Sequence, residues 1–487
     1  SNKHKMDFEV FIRKSDLDRL NLSDLNSHLL SNMKVNLSGK NLNSYTGFIE
    51  FDAFDYTVDD QTFHMDDFKL TIERGLEDKF SITGSAGTAE IAGKFKTDQL
   101  INNFHYQFSQ IFPSLYGDRA ANYSTDAIDY FTYKAEFITP NNLVQLFYPE
   151  LEIAPHTRIN GNYNGSESMF KLNVYSDSIR YKEMKFDSLS LEQILNKDQI
   201  LADYRVKNFQ YSDSLQFQDV YFKTYGGNDN LQHRLSWEEK TTRPSELSWD
   251  TQLHDSDHYG FVLNPSHFFI KDHQWDISHS SSLLVKGDTI NVSNFELVRN
   301  NQKILIDGKI SNQDSHKLNF DVTNLELSEI SPFISSDYPM SGIINLDGHI
   351  SNPFNNLGYE GDGKLTNFIV NNQKVGDITV NSYWNKFKQA ITTTGNLRYI
   401  EEKTFDFAGD YYLFEEEDNL DFDLNFDYTN LQFTNAFLDP DVVSEIRGFI
   451  NGHLDLTGDL NQPILDGKVS LTSGSALAHS KTPALSW

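Results

Sequence analysis

Ten residues occur twice in this chain, with one irregularity in each copy. Leu318 opens LNFDVTNLEL and Leu424 opens LNFDYTNLQF. Each copy alternates apolar and polar residues, the pattern of a strand with one greasy and one wet face. Each then loses step, at Thr323-Asn324 in the first and Thr429-Asn430 in the second, before alternation resumes. Side chains on a strand alternate with period 2, so a one-residue slip would turn the greasy face to water. A bulge or bend rotates the strand back. The repeat therefore predicts a corner at the same place in two modules.

Similar alternation fills most of the sequence. Phe422, Leu424, Phe426 and Tyr428 share one face, opposite Asp421, Asp423, Asn425 and Asp427. Leu318, Phe320 and Val322 form such a set, as do Phe68, Leu70 and Ile72. Gly226-Gly227, Asn228-Asp229 and Asn371-Asn372 read as turns between strands. An apolar-x-apolar-x-Gly pattern ends at Gly39, Gly348 and Gly458, and a smaller hairpin pattern recurs in HMDDFKLTI, MKFDSLSL, LQFQDVYF, INVSNFELV and VGDITV. Helical spacing is confined to short pieces: near Asp16–Leu30, near Asn141–Phe147, in LELSEISPFI and in LQFTNAFLDPDVV. These features divide the chain into a region 1–165 with a short helix, meander repeats over 166–310, one repeat unit over 311–400 and a second copy over 401–487.

Length alone, 487 residues, would suggest about three globular domains. The absence of a blade-like or short solenoid period points instead to one long antiparallel meander. Roughly 30 strands at ~4.8 Å would run on the order of 150 Å, and an open sheet of that size must twist and curl. A sheet curled over its own greasy face is a groove. Abundant aromatics, 37 Phe and 23 Tyr, suit such a thin wall. The alternation is equally compatible with a closed sandwich in which the same residues form a core.

Composition removes several functions. Forty-one basic against 70 acidic residues give a formal charge of −29, a field that repels phosphate backbones and excludes a nucleic-acid surface. No cysteine is present, so there is no disulfide, thiol nucleophile or thiolate metal site. No apolar run is long enough to span a bilayer. Ser1-Asn2 resembles a cloning scar, which suggests an excised fragment. His254, His258, His267, His273 and His279 are the densest metal-ligating residues, but turns interrupt any shared face, and Asp418–Asp423 lacks the spacing of a calcium loop. Gly361-Asp362-Gly363 precedes a strand rather than a helix, and no nucleophile elbow occurs. The chain is expected to be no enzyme, with no catalytic residue, metal site or cofactor.

One segment carries a resemblance. Phe261–Ser311 contains Trp275-Asp276-Ile277-Ser278, Asn294-Phe295-Glu296-Leu297 and Gly308-Lys309-Ile310-Ser311. In that order these resemble the repeat of TamB/AsmA-like proteins, the bridge-like lipid transfer family, especially its large Bacteroidetes-type members. Leu318–Val370 and Leu424–Ser473 resemble further repeats, through Gly458 and Pro463. The resemblance is good over about 250–475 and departs after Gly474, so the family's far C-terminal region is expected to be missing. It implies an all-β, elongated, taco-shaped antiparallel meander with a lengthwise hydrophobic groove and a few short helices. It further implies a periplasmic protein spanning between inner and outer membranes, anchored by a segment outside this chain. The implied function is shielding phospholipid acyl chains in transit, with Phe68, Leu70, Ile72, Leu318, Phe320, Val322, Phe422, Leu424, Phe426 and Tyr428 lining the groove. The alternative is a chaperone or scaffold for outer-membrane proteins, working with a BamA-like barrel called TamA.

Overall fold

The structure, a computed structural model, describes all residues except 1–3, 18, 21–26, 59–60, 125–128, 141–143, 146–147, 213–214, 271, 335–338, 400–401, 416–417, 438–442, 460–461 and 479–487. It is an all-β antiparallel meander with few helices. The chain divides into two units, Ser1–Tyr259 and Gly260–Trp487. That division falls inside the stretch 166–310, which the repeats suggest as one region.

In the first unit, strands from His4–Asp16 to Ser245–Asp255 pair antiparallel with their neighbours in chain order. Leu151–Ile153 and Thr157–Asn164 lie end to end along one edge of Met169–Tyr181, a single strand with an interruption. Asn228 and Asp229 take φ of 50° and 67° between the strands Leu215–Gly227 and Asn230–Trp237. Two successive left-handed residues make the turn whose twist matches a hairpin, as the sequence suggests. Asn371-Asn372 repeats the arrangement in the second unit, at φ 50° and 61°.

One helical expectation changes. Ser27–Leu30 begin the strand Ser27–Gly39 rather than ending a helix, and residues 21–26 are outside the described residues. Of Asn141–Phe147 only Val144 and Gln145 are described, and they are helical. The longest helix, Leu100–Ile111, lies where sequence reading expects none. Its signal was available: Leu100, Phe104, Phe108 and Ile111 recur at helical spacing. These residues pack on Phe131, Tyr163, Phe170, Leu195 and Ile200, which stand at the strand ends on one rim. Polar contacts fix the helix there. Gln107 Nε2 donates to the Lys197 carbonyl at 2.6 Å, and the Asp229 carboxylate accepts from Ser114 N at 3.1 Å and Oγ at 2.7 Å.

The second unit has the same design on a smaller scale. The helix Leu327–Ile334 and the 3-10 turn Leu431–Ala436 fall in the two segments expected to be helical. The turn packs with Val370, Val375, Leu397, Phe426 and Ile450. Asn371 Nδ2 donates to the Ala436 carbonyl at 3.2 Å, tying the turn to a hairpin. Short helical segments therefore hem one rim of the apolar face in each unit.

The expected corners are β-bulges. Pairing with Met340–Ser351 shifts between Val322 and Leu325, and pairing with Val443–Asp459 shifts between Phe426 and Thr429. The first bulge lies at Thr323-Asn324, as the sequence suggests, but the second lies at Asp427-Tyr428, two positions earlier in the phrase. The partner strands explain the difference. Asn324, at φ 52°, donates its N–H to Asn345 Oδ1 at 2.9 Å, and Tyr428, at φ 46°, donates to Asn451 Oδ1 at 2.7 Å. Two further bulges use the same device, Asn294 donating to Asp307 at 2.9 Å and Asn367 to Asp377 at 2.7 Å. A cross-strand Asn or Asp satisfies the N–H that a bulge withdraws from the ladder.

Candidate functional site

Register turns alternation into a surface. In the first unit Phe8 pairs with Val35, and partners of partners then follow: Ile49, Leu70, Ile82, Ala89 and Ala135. The row continues across Ile159, Val174, Leu191, Tyr204, Phe222, Leu235 and Leu247. Every strand of the meander thus contributes an apolar side chain to one line running perpendicular to the strands. At ~4.8 Å per strand the line is roughly 60 Å long.

The second unit carries its own line. It passes from Leu297 through Ile304, Val322, Leu346, Gly363 and Val380, then through Gly395, Phe407, Leu424, Leu454 and Gly467. Glycines here make room for rings. A Cβ on Gly348 would stand 2.6 Å from Phe320 Cζ, and one on Gly395 would collide with the Phe407 ring. Aromatic rings lie across these bare positions, which keeps the face low and continuous.

Side chains in these rows are half-buried, apart from buried Val35 and exposed Phe8. A sandwich core would seal them. Among the described residues, neither the central row nor the row on either side holds Asp, Glu or Lys in either unit, and the one Arg is Arg299, beside Leu297 and paired with Glu329. Burial favours the neutral form of three titratable groups on that face. Burial lowers the pKa of His233, which stacks on Phe222 and on Trp249 at 5.8 and 5.0 Å. Burial likewise raises the phenols of Tyr133 and Tyr204 above their ordinary range.

The opposite face is charged. Asp321, Asp347 and Asp362 stand directly across from one another on three strands, as do Asp423, Asp455 and Asp466. Among the described residues, the one His/carboxylate trio close enough to share an ion is Asp423, His453 and Asp455, all exposed on this outer face. His273 instead pairs with the buried Glu329 at 2.5 Å, where Arg299 also reaches the same oxygen at 2.7 Å. That pair holds the helix Leu327–Ile334 to the strands.

The residues singled out from sequence separate into three groups. Leu70, Val322 and Leu424 lie in the central rows, while Phe68, Ile72, Phe320, Phe422 and Leu318 lie in rows beside them; all are half-buried. Phe426 is 9% exposed and packs on Phe405 and beneath the turn carrying Phe433. Tyr428 departs from the expected face. It is 56% exposed and stacks on Phe449 at 4.4 Å, on the side opposite Ile450, because the bulge has already turned the strand. Fully buried Thr429 takes the inward place. Sequence reading missed most of the first unit's row, including Val174, Leu191, Tyr204 and Leu235, whose alternation was visible but whose register was not.

The family described as "TamB, N-terminal domain" matches residues 148–471, more than half of the chain. The chain belongs to the TamB family. The match begins about a hundred residues before the stretch of best resemblance, so it takes in the strands from Leu151 onward in the first unit. No curated protein and no solved structure matches the chain. TamB-family proteins act in lipid or outer-membrane protein assembly, in general with TamA-type partners. Among the described residues no helix is long and apolar enough to cross a membrane.

Proposed function

We propose that this TamB-family chain shields phospholipid acyl chains as they cross the periplasm between the inner and outer membranes. The observation that carries this reading is the unbroken, uncharged and half-buried apolar row linked strand to strand in each unit. An acyl chain laid along such a row gains ~0.8 kcal/mol per buried CH₂, while the headgroup stays in water. The acidic outer face keeps a long apolar surface soluble. Leu70, Val322 and Leu424 are the central contacts in this reading, flanked by Phe68, Ile72, Leu318, Phe320 and Phe422. Phe426 belongs to the packed hem and Tyr428 to the outer face.

Photo-crosslinking residues at Leu70, Val322 and Leu424 test this reading. Phospholipid adducts at these positions support the trough. Protein adducts there, with no lipid, would replace it with a scaffold for outer-membrane proteins beside a TamA-type barrel.

A further inference from the structure

Chemistry on the two faces of the sheet also bears on which lipid the trough accepts. We infer that it takes phospholipids with no net headgroup charge, zwitterionic ones above anionic ones. This inference rests on the acyl-chain reading above.

An anionic headgroup needs a cation to meet it. Among the described residues the central and flanking rows hold a single cation, Arg299, beside Leu297. The guanidinium groups that border the apolar face are already engaged. Arg74 lies over the Phe80 ring at 4.7 Å, but its Nη1 is held by Asp78 at 2.6 Å and its Nη2 by Thr97 Oγ1 at 2.7 Å. Arg299 is held by Glu329 at 2.7 Å beneath the helical hem. His233, on the inward face, has its pKa lowered by burial and does not supply a charge at neutral pH.

Meanwhile the surrounding field is negative. The chain carries −29, and its outer lanes set Asp321, Asp347 and Asp362 opposite one another, with Asp423, Asp455 and Asp466 doing the same further along. A lipid with one net negative charge pays for entering that field, whereas a zwitterion offsets its phosphate with its own ammonium. The discrimination is electrostatic, so it must weaken with salt. The screening length shrinks from about 30 Å at 0.01 M to about 3 Å at 1 M.

The test offers the purified chain to vesicles holding equal phosphatidylethanolamine and phosphatidylglycerol with identical acyl chains. Lipid recovered with the protein is quantified by mass spectrometry at 10 mM and 1 M salt. The expected result is a severalfold excess of phosphatidylethanolamine at low salt that falls toward equality at high salt. A variant with Asp347→Lys, Asp423→Lys and Asp455→Lys, all on the outer face, should raise the phosphatidylglycerol share at low salt without changing total lipid. Circular dichroism confirms that this variant keeps its strands. Equal uptake of both lipids at low salt, or an excess of phosphatidylglycerol, overturns the headgroup inference and leaves the acyl-chain trough standing. No lipid recovered at either salt overturns the trough itself.

Discussion

In the first unit side chains fill the central row on every strand from Val35 to Leu247, and a twelve-residue helix hems one rim. In the second unit three positions of the row are glycines, Gly363, Gly395 and Gly467, and the hem is reduced to the helix Leu327–Ile334 and the turn Leu431–Ala436. Filled positions and glycines closely covered by their neighbours, by the Phe407 ring at Gly395, by Val380 and Leu346 at Gly363 and by the backbone of His453 at Gly467, are two solutions to one problem, keeping a line apolar and level across many strands. The shared quantity is the height and charge of the face, not the residue at any one place. The difference also separates two kinds of inward residue. Some pack against a hem and hold the fold together, while others lie beyond it, half-buried on the apolar face.

Aspartate substitutions on either side of that line should show the largest effect. Phe426→Asp places a charge in the cluster of Leu397, Phe405 and Phe433, and should destabilise the second unit by on the order of 4 kcal/mol. Leu424→Asp, two residues away in the half-buried row, should cost roughly half as much and abolish lipid crosslinking at neighbouring positions. Hydrogen exchange of the strands Ala390–Tyr399 and Leu420–Asn430 measures the first effect. Equal loss of protection in both variants would mean that the row is core and not trough.

Glycine and side-chain solutions should differ in tolerance. Gly395→Val collides with the Phe407 ring and approaches the Thr379 carbonyl, so it should cost about 2–3 kcal/mol through overpacking. Ala135→Val, in the first unit's half-buried row, should cost less than about 1 kcal/mol. Denaturation followed by exchange protection in each unit reads both. A tolerated Gly395→Val would show that the rings are not fixed over the glycines.

How much of this was legible beforehand follows from where the information lies. Alternation is local, so strands, hairpin turns at Asn228-Asp229 and Asn371-Asn372, and the all-β class could be read directly. The family repeat pointed to a meander with a greasy face. Register is not local: that Leu70 stands between Ile49 and Ile82 depends on the turns at both ends of every strand. The helix Leu100–Ile111 was legible and overlooked, since its period of about 3.6 is plain once a strand-dominated reading is set aside. Tyr428 was placed on the wrong face for a different reason. Its orientation is decided by Asn451, on another strand.

The hem should yield to a smaller change. Asp229 accepts from both Ser114 N and Ser114 Oγ while sitting at φ 67°, a conformation glycine adopts freely. Asp229→Gly therefore keeps the turn and removes only the carboxylate, at a cost of about 1–2 kcal/mol. Amides of Leu100–Ile111 should exchange faster while those of Gln199–Ser212 do not. Acceleration in both would mean that the helix is part of the sheet's own stability rather than a wall laid on it.

The smallest expected effect returns to the two copies of one phrase. If the cross-strand asparagine fixes each bulge, Asn451→Ala withdraws the acceptor of the Tyr428 N–H and should cost about 1 kcal/mol. It also removes what holds a tyrosine at φ 46°, a region that favours Asn and Gly. The bulge then has reason to move to Thr429-Asn430, where the sister copy has it, against the single bond that buried Thr429 donates to the Thr404 carbonyl. Combining Asn451→Ala with Thr429→Ser keeps that hydroxyl, while Thr429→Val in the same background removes it. Exposure of Tyr428, read by iodination or by a fluorine label on the ring, should fall in the Val combination and hold in the Ser one. Unchanged exposure in both would assign the bulge to the phrase itself and not to its partner strand.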